Sequence, residues 1–221
     1  MKLNFLLLTV LNTLILFSST FAQISLGVLG GVNNSSLIGD APPGSTYKSD
    51  VGFGVGLLGE FNITSDIKIS LQPMFQQKGA KIAYSVFSER EPQDSIEINI
   101  NYFSLPILMK VYAGNNIMYV SGGFDIGFKL DATFRRITPD KEKDISDSFN
   151  DFNITAIIGV GAQFRLGQFY IFAEGRYSQG LGNISNPNPD GPKELSPSFR
   201  TTSLQLFAGV ILTLGGGEPN E

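Results

Sequence analysis

The sequence predicts an all-β fold, an eight-stranded antiparallel up-and-down transmembrane β-barrel that follows an N-terminal signal peptide. Three observations predict it. Beyond residue 22 the chain runs almost throughout at period two, the side-chain spacing of strands. Its strand-like segments are about 10–14 residues long, beyond the globular norm and sufficient for a tilted strand to cross a bilayer. The connections between them alternate between short turns and long polar loops, as in outer-membrane barrels.

Composition fits this class. Among 221 residues there are 25 Gly and only 16% charged residues, a mix unlike helical domains rich in Ala, Glu and Lys. A net charge of -4 leaves no basic footprint for nucleic acid. There is no Cys and no His. Disulfides, thiolate and imidazole zinc sites, and triads with a His base are therefore excluded. So is the His-Ser chemistry of lipid-deacylating barrels. We expect no enzyme activity, no metal and no cofactor.

The elements follow in order. Lys2 and the apolar run Phe5 to Phe17, ending in Thr20 and Ala22 at the -3 and -1 positions, read as a signal peptide over 1–22. Cleavage there would leave Gln23 first, a barrel domain over 23–215 and a polar tail over 216–221. Strands are expected at 24–33, 51–63, 66–78, 100–112, 117–130, 152–165, 168–179 and 201–214. The third opposes Ile67, Ile69 and Leu71 to Lys68, Ser70 and Gln72. The fourth opposes Phe103, Leu105, Ile107, Met109 and Val111 to Tyr102, Ser104, Pro106, Leu108 and Lys110. The fifth sets Ile126, Phe128 and Leu130 against Asp125, Gly127 and Lys129. The seventh sets Phe169, Ile171, Ala173 and Tyr177 against Glu174, Arg176 and Ser178. The eighth sets Leu204, Leu206, Ala208, Val210 and Leu212 against Ser203, Gln205, Gly209 and Thr213. Short turns fall at Thr64-Ser65, at Gly114 to Asn116 and at Gly167. Long loops fall at Asn34 to Asp50, Gly79 to Asn99, Asp131 to Asp151 and Gly180 to Arg200.

Alternation alone does not say which face looks outward. The export signal, the strand lengths and the sorted loops decide it: hydrocarbon lies outside, where Arg or Lys at mid-depth costs about 2–4 kcal/mol. The charged rows therefore face the lumen. Glu60, Lys68, Lys78, Lys110, Asp125, Lys129, Glu174 and Arg176 form the candidate lumen network. Its simplest role is mutual ion pairing in a low-dielectric interior, and its functional alternative is a narrow ion path or carboxylate site. Eight strands leave an interior that side chains fill, not a wide pore. Gly27, Gly31, Gly52, Gly54, Gly56, Gly123, Gly127, Gly159 and Gly161 would make room there for bulky groups such as Tyr119, Arg176 and Lys110.

Other motifs carry less. Gly54-x-Gly56-x-x-Gly59 matches a dinucleotide fingerprint in letters but lies inside a strand pattern, without the strand-to-helix turn that chemistry needs. Asp140, Glu142, Asp144, Asp147 and Asp151 make an acidic loop, read as solvated charge in preference to a divalent-cation site. Aromatics near strand ends (Phe61, Tyr84, Tyr102, Tyr112, Tyr119, Phe152, Phe164, Phe169 and Tyr177) are expected to form interfacial girdles.

Two stretches carry a resemblance. Tyr102 to Lys110, preceded by Gln76 to Ala80, resembles the fourth-strand signature of PorT-like outer-membrane barrels of Bacteroidetes. Gly159 to Gln163 with Glu174 to Ile184 resembles the late hairpin of that family. The resemblance implies an eight-stranded "porin family" barrel in the outer membrane, brings no catalytic residues, and implies a link to protein secretion. The chain departs from many such barrels at its end, where Leu212-Thr213-Leu214 runs into glycines without a terminal aromatic. The expected role is structural or interactive, as a monomeric barrel in contact with outer-membrane lipid. The alternatives are an accessory component of a secretion system, meeting envelope or secretion-machinery proteins, and a soluble periplasmic barrel with a small ligand.

Overall fold

A computed structural model describes residues 24–39, 41, 44–84, 95–114, 116–136, 141–185 and 198–214. The expected signal peptide over 1–22 and the tail over 216–221 lie outside the described residues. The strands are β1 (Ile24–Gly39), β2 (Ser45–Asn62), β3 (Ile67–Leu71), β4 (Met74–Tyr84), β5 (Ser95–Tyr112), β6 (Met118–Arg136), β7 (Lys141–Asp144), β8 (Phe152–Leu166), β9 (Phe169–Gly180) and β10 (Phe199–Leu214). Every neighbouring pair is antiparallel, and β1 pairs with both β2 and β10, so the sheet closes in a ring of eight strands. Closure leaves no strand edge in hydrocarbon, where an unpaired amide could find no partner.

Two differences from the expected layout have physical causes. The third wall strand is broken into β3 and β4 at Gln72-Pro73, because Pro73 has no N–H to place in the ladder. The ring holds through the break: Leu57 N donates to Pro73 O (3.0 Å) and Gln72 N to Pro106 O (3.0 Å). The second difference is length. All four predicted loops contain strand, since β1 runs to Gly39, β2 begins at Ser45, β4 and β5 reach Tyr84 and Ser95, β6 continues to Arg136 with β7 beside it, and β10 begins at Phe199.

β5 explains the extra length. From Phe103 to Val111 its odd residues are apolar and face out, while Ser104 and Lys110 are buried inside. Above that level both faces change character. Glu97, Asn99 and Asn101 now point outward, and Ile96, Ile98 and Ile100 are fully buried inside. Cross-strand partners repeat the switch: Ala80, Ile98 and Phe134 form one inward row over β4, β5 and β6, and Lys81, Glu97 and Arg135 the outward row beside it. Lys81 Nζ meets Glu97 Oε1 at 2.8 Å and Asp50 Oδ1 at 3.2 Å. Hydrophobic burial therefore works in opposite senses along one strand, against lipid below and around a dry core above.

Around the ring the lower belt is uniformly apolar and exposed, with Val51 at 69%, Leu204 at 64% and Val160 at 63% of full exposure. Such a face has no place in water, so the soluble periplasmic barrel is not supported. The aromatic girdle is only partly as expected. Phe152, Phe164, Phe169 and Tyr177 are exposed on the outside, but Tyr102, Tyr112 and Tyr119 are buried in the lumen. They share strand parity with Ser104, Lys110 and Ser121, and facing glycines leave them space. A Cβ at Gly161 would overlap the Tyr119 ring. The side chain of Tyr84 lies outside the described residues. The short turn between β8 and β9 uses Gly167 at φ +63°, a left-handed conformation that glycine adopts freely.

Candidate functional site

The barrel wall presents its inward residues to one another across the lumen, and the charged ones sort into three groups. Nearest the short turns, Lys110 Nζ lies 2.7 Å from Glu60 Oε1 and 3.7 Å from Glu174 Oε2, with all three side chains fully buried. Arg176 grips Glu174 through Nε to Oε1 (2.9 Å) and Nη2 to Oε2 (3.2 Å). The Tyr119 hydroxyl donates to Glu174 Oε2 (2.9 Å), and Ser121 Oγ donates to Oε1 (2.7 Å). Aromatic faces supply the rest of the cations' surroundings: Lys110 Nζ sits 4.7 Å from the Tyr119 centroid and 5.0 Å from that of Phe172, and Arg176 Cζ lies 4.9 Å from that of Phe207. Lys68 joins this group at its lower edge, 3.7 Å from Glu60 Oε2.

A second pair stands higher. Lys78 Nζ and Asp125 Oδ2 are 3.1 Å apart, and Ser104 Oγ donates to the same oxygen (3.3 Å). Asp125 Oδ1 and Arg176 Nη1, both deeply buried, have no hydrogen-bond partner among the described residues. Leu29, Leu58, Met74, Phe172, Phe207 and Ile211 pack beside these polar groups as a lumenal apolar cluster. The lumen is filled.

Lys129 is not brought into either group. Its ammonium donates to the backbone carbonyls of Ser146 and Phe149 (2.6 Å each) and pairs with exposed Asp151 (3.2 Å). It thereby holds the segment after β7 against the mouth of the barrel. There Ile145, Phe149, Ile184 and Phe199 complete a core with Ile82, Ile96, Ile98, Ile100 and Phe134. The segments are stitched together: Asn150 N donates to Ile184 O (2.9 Å), and Asn183 Oδ1 accepts from the amides of Ser185 and Phe199 (3.0 Å each). The Phe149 and Phe199 rings meet edge to face with centroids 5.6 Å apart.

The sequence reading missed this cap and Ser121, and it placed Tyr119 inward without its hydrogen bond to Glu174. Both were signalled by parity, since Ile96, Ile98 and Ile100 continue the inward row of Ser104 and Lys110. Among the described residues the acidic run does not assemble. Asp144 accepts from the Ser146 amide (2.8 Å), and the Ser146 hydroxyl and amide hold its carboxyl below the usual range. Asp140 and the side chain of Glu142 lie outside the described residues. No group of three or more potential metal ligands occurs among the described residues.

No curated protein matches the sequence. Among solved structures, the chain resembles the attachment invasion locus protein Ail of Yersinia pestis in complex with the heparin analogue sucrose octasulfate (17% identity, 86% of this chain and 99% of that one, TM-score 0.44). It also resembles the Neisserial surface protein A (11% identity, 86% and 97%, TM-score 0.43) and OprG from Pseudomonas aeruginosa (13% identity, 89% and 98%, TM-score 0.40). At TM-scores below 0.5 these likenesses carry no weight of their own. The family model described as "Outer membrane protein beta-barrel domain" matches residues 19–186, most of the chain. With its closed ring of eight strands and lipid-type outer belt, the chain belongs to that family of outer-membrane β-barrel proteins and resides in the outer membrane.

Proposed function

We propose that this protein is a closed, non-enzymatic barrel that anchors and displays a rigid extension above the outer membrane, where it meets partners or surroundings. One observation carries the reading: the lumen is occupied by paired charges and then capped by the apolar core around Ile96, Ile98, Phe149 and Phe199. An ion crossing that core would shed its water with no polar group to replace it. A filled interior suits an eight-stranded ring. The polar outward rows of Lys48, Lys81, Glu97 and Arg135 are the surface available for contact. The barrel would act as a monomer, and residues 1–22 would be removed on export, leaving Gln23 as the N-terminus.

The test is electrical. Purified protein reconstituted in a planar bilayer should show no sustained conductance steps. Steady unitary currents from the wild type would overturn the reading.

A second reading, an accessory component of protein secretion, draws its support from the PorT-like stretches Tyr102 to Lys110, within β5, and Glu174 to Ile184, which starts in β9 and runs past its end at Gly180. It expects other envelope proteins to co-purify with the barrel and secreted proteins to be lost on deletion. An unchanged secreted proteome in the deletion strain would sink it.

A further inference from the structure

The lower lumen carries an imbalance of charge. Lys68, Lys110 and Arg176 contribute three cations, against the two carboxylates of Glu60 and Glu174. Glu174 is fully committed, while Glu60 keeps Oε2 buried and without a hydrogen-bond partner among the described residues. Glu174 accepts from Arg176, Tyr119 and Ser121, and Glu60 Oε1 takes Lys110 at 2.7 Å. Lys68 is left with Glu60 Oε2 at 3.7 Å, beyond hydrogen-bond reach, and no other described carboxylate lies within 4.0 Å of its ammonium. Its side chain is only 17% exposed and is flanked by two rings, with the Tyr112 centroid at 4.6 Å and that of Tyr170 at 6.0 Å. Its one ion pair is long and is made to a carboxylate whose other oxygen already holds Lys110, so the ammonium keeps hydrogen-bonding capacity toward the open space beside it.

Lys68 faces a cavity of about 300 Å³ at the short-turn end of the barrel. Ser65 and Asn116, from the turns after β2 and β5, line it together with Ser25, Asn62, Gln163, Tyr170 and Thr213. In the same lining the Ser25 hydroxyl donates to Thr213 Oγ1 (3.2 Å), which leaves the Thr213 proton to point elsewhere. Barrels with this arrangement of loops turn the short-turn rim toward the periplasm.

We propose that this vestibule is a binding site for a small oxyanion, a phosphate or a free carboxylate, held by Lys68 and entering from the periplasmic rim. The anion restores charge balance to the lower lumen and gives the Lys68 ammonium the partner that Glu60 supplies only at arm's length. It goes beyond the closed-barrel reading and does not depend on it, because a site at one rim is compatible with a conducting or a non-conducting lumen.

The experiment uses the full mature barrel folded in detergent micelles. Inorganic phosphate and acetate are titrated separately, with ³¹P linewidth for phosphate and backbone amide shifts of the short turns for both. The wild type should saturate with at least one of them. Lys68→Met keeps the stem and removes the charge, and its affinity should fall about tenfold or more, the scale of one charge-assisted hydrogen bond. Lys68→Arg should retain binding. Saturation by phosphate alone assigns the site to free phosphate; saturation by acetate as well extends it to carboxylates, including a polypeptide C-terminus. Absence of saturation in the wild type by either anion overturns the proposal, and so does a folded Lys68→Met variant that binds as well as wild type. A heat-dependent mobility shift on electrophoresis verifies that each variant is folded.

Discussion

At the scale of single residues, the lumen is stabilised by charges that cannot be removed singly. Glu174 serves Arg176, Lys110, Tyr119 and Ser121 together, in a place without solvent. Glu174→Gln strands Arg176 and leaves Lys110 with Glu60 alone, and we expect a loss of about 3–5 kcal/mol, the usual cost of breaking one side of a buried pair. Urea unfolding in lipid vesicles, followed by the electrophoretic mobility shift, measures it. Gly161 contributes through what it lacks. Gly161→Ala drives a methyl into the Tyr119 ring, and a penalty of about 1–3 kcal/mol is expected in the same assay. A Gly161→Ala, Tyr119→Phe double variant should still pay most of that penalty, since the clash is with the ring as well as the hydroxyl; full recovery would place the strain at the oxygen.

At the scale of elements, β5 is the informative strand. Ile107 faces lipid, so Ile107→Arg should block stable insertion, at about 2–4 kcal/mol for a cation at mid-depth, while Ile107→Val is tolerated. Heat-modifiable mobility of the membrane fraction distinguishes them, and an Arg variant that folds like wild type would reverse the facing of β5. The lipid-facing half of this strand was legible in the sequence because apolar and polar residues alternate over a hydrocarbon belt. Its upper half was not. Ile96, Ile98 and Ile100 alternate with Glu97, Asn99 and Asn101 in the sense of a soluble barrel, and a search for apolar residues outside stops at Asn101. The candidate charges were legible as residue types on inward rows. Their grouping was not, because Glu60, Lys110 and Glu174 meet through the register of strands far apart in sequence, and Lys129, just below a bulge in the β5–β6 ladder, is held by carbonyls of the segment after β7. Tyr119 was read both as a girdle residue and as a bulky inward group, and burial decides for the second.

At the scale of the whole molecule, one ring performs two solvation tasks in series. The chain is tied to lipid over its lower part and builds a water-immersed core from the same strands above, with four of them, β2, β4, β5 and β6, carrying most of the extension. Bilayer thickness should therefore matter. Folding yield into vesicles of graded acyl-chain length is expected to peak where the hydrocarbon is about 25 Å thick and to fall in thicker membranes. A flat yield across the series would mean that the belt is not the element that selects the membrane.

The switch between Asn101 and Phe103 has one more effect. It works as a draught mark on a hull. A barrel riding two residues deeper would drag Asn101, Asp131 and their mutual hydrogen bond (2.9 Å) into oil, and one riding higher would lift Phe103 and Phe75 into water. Vertical drift is opposed in both directions, so a mismatched membrane has to pucker around the protein.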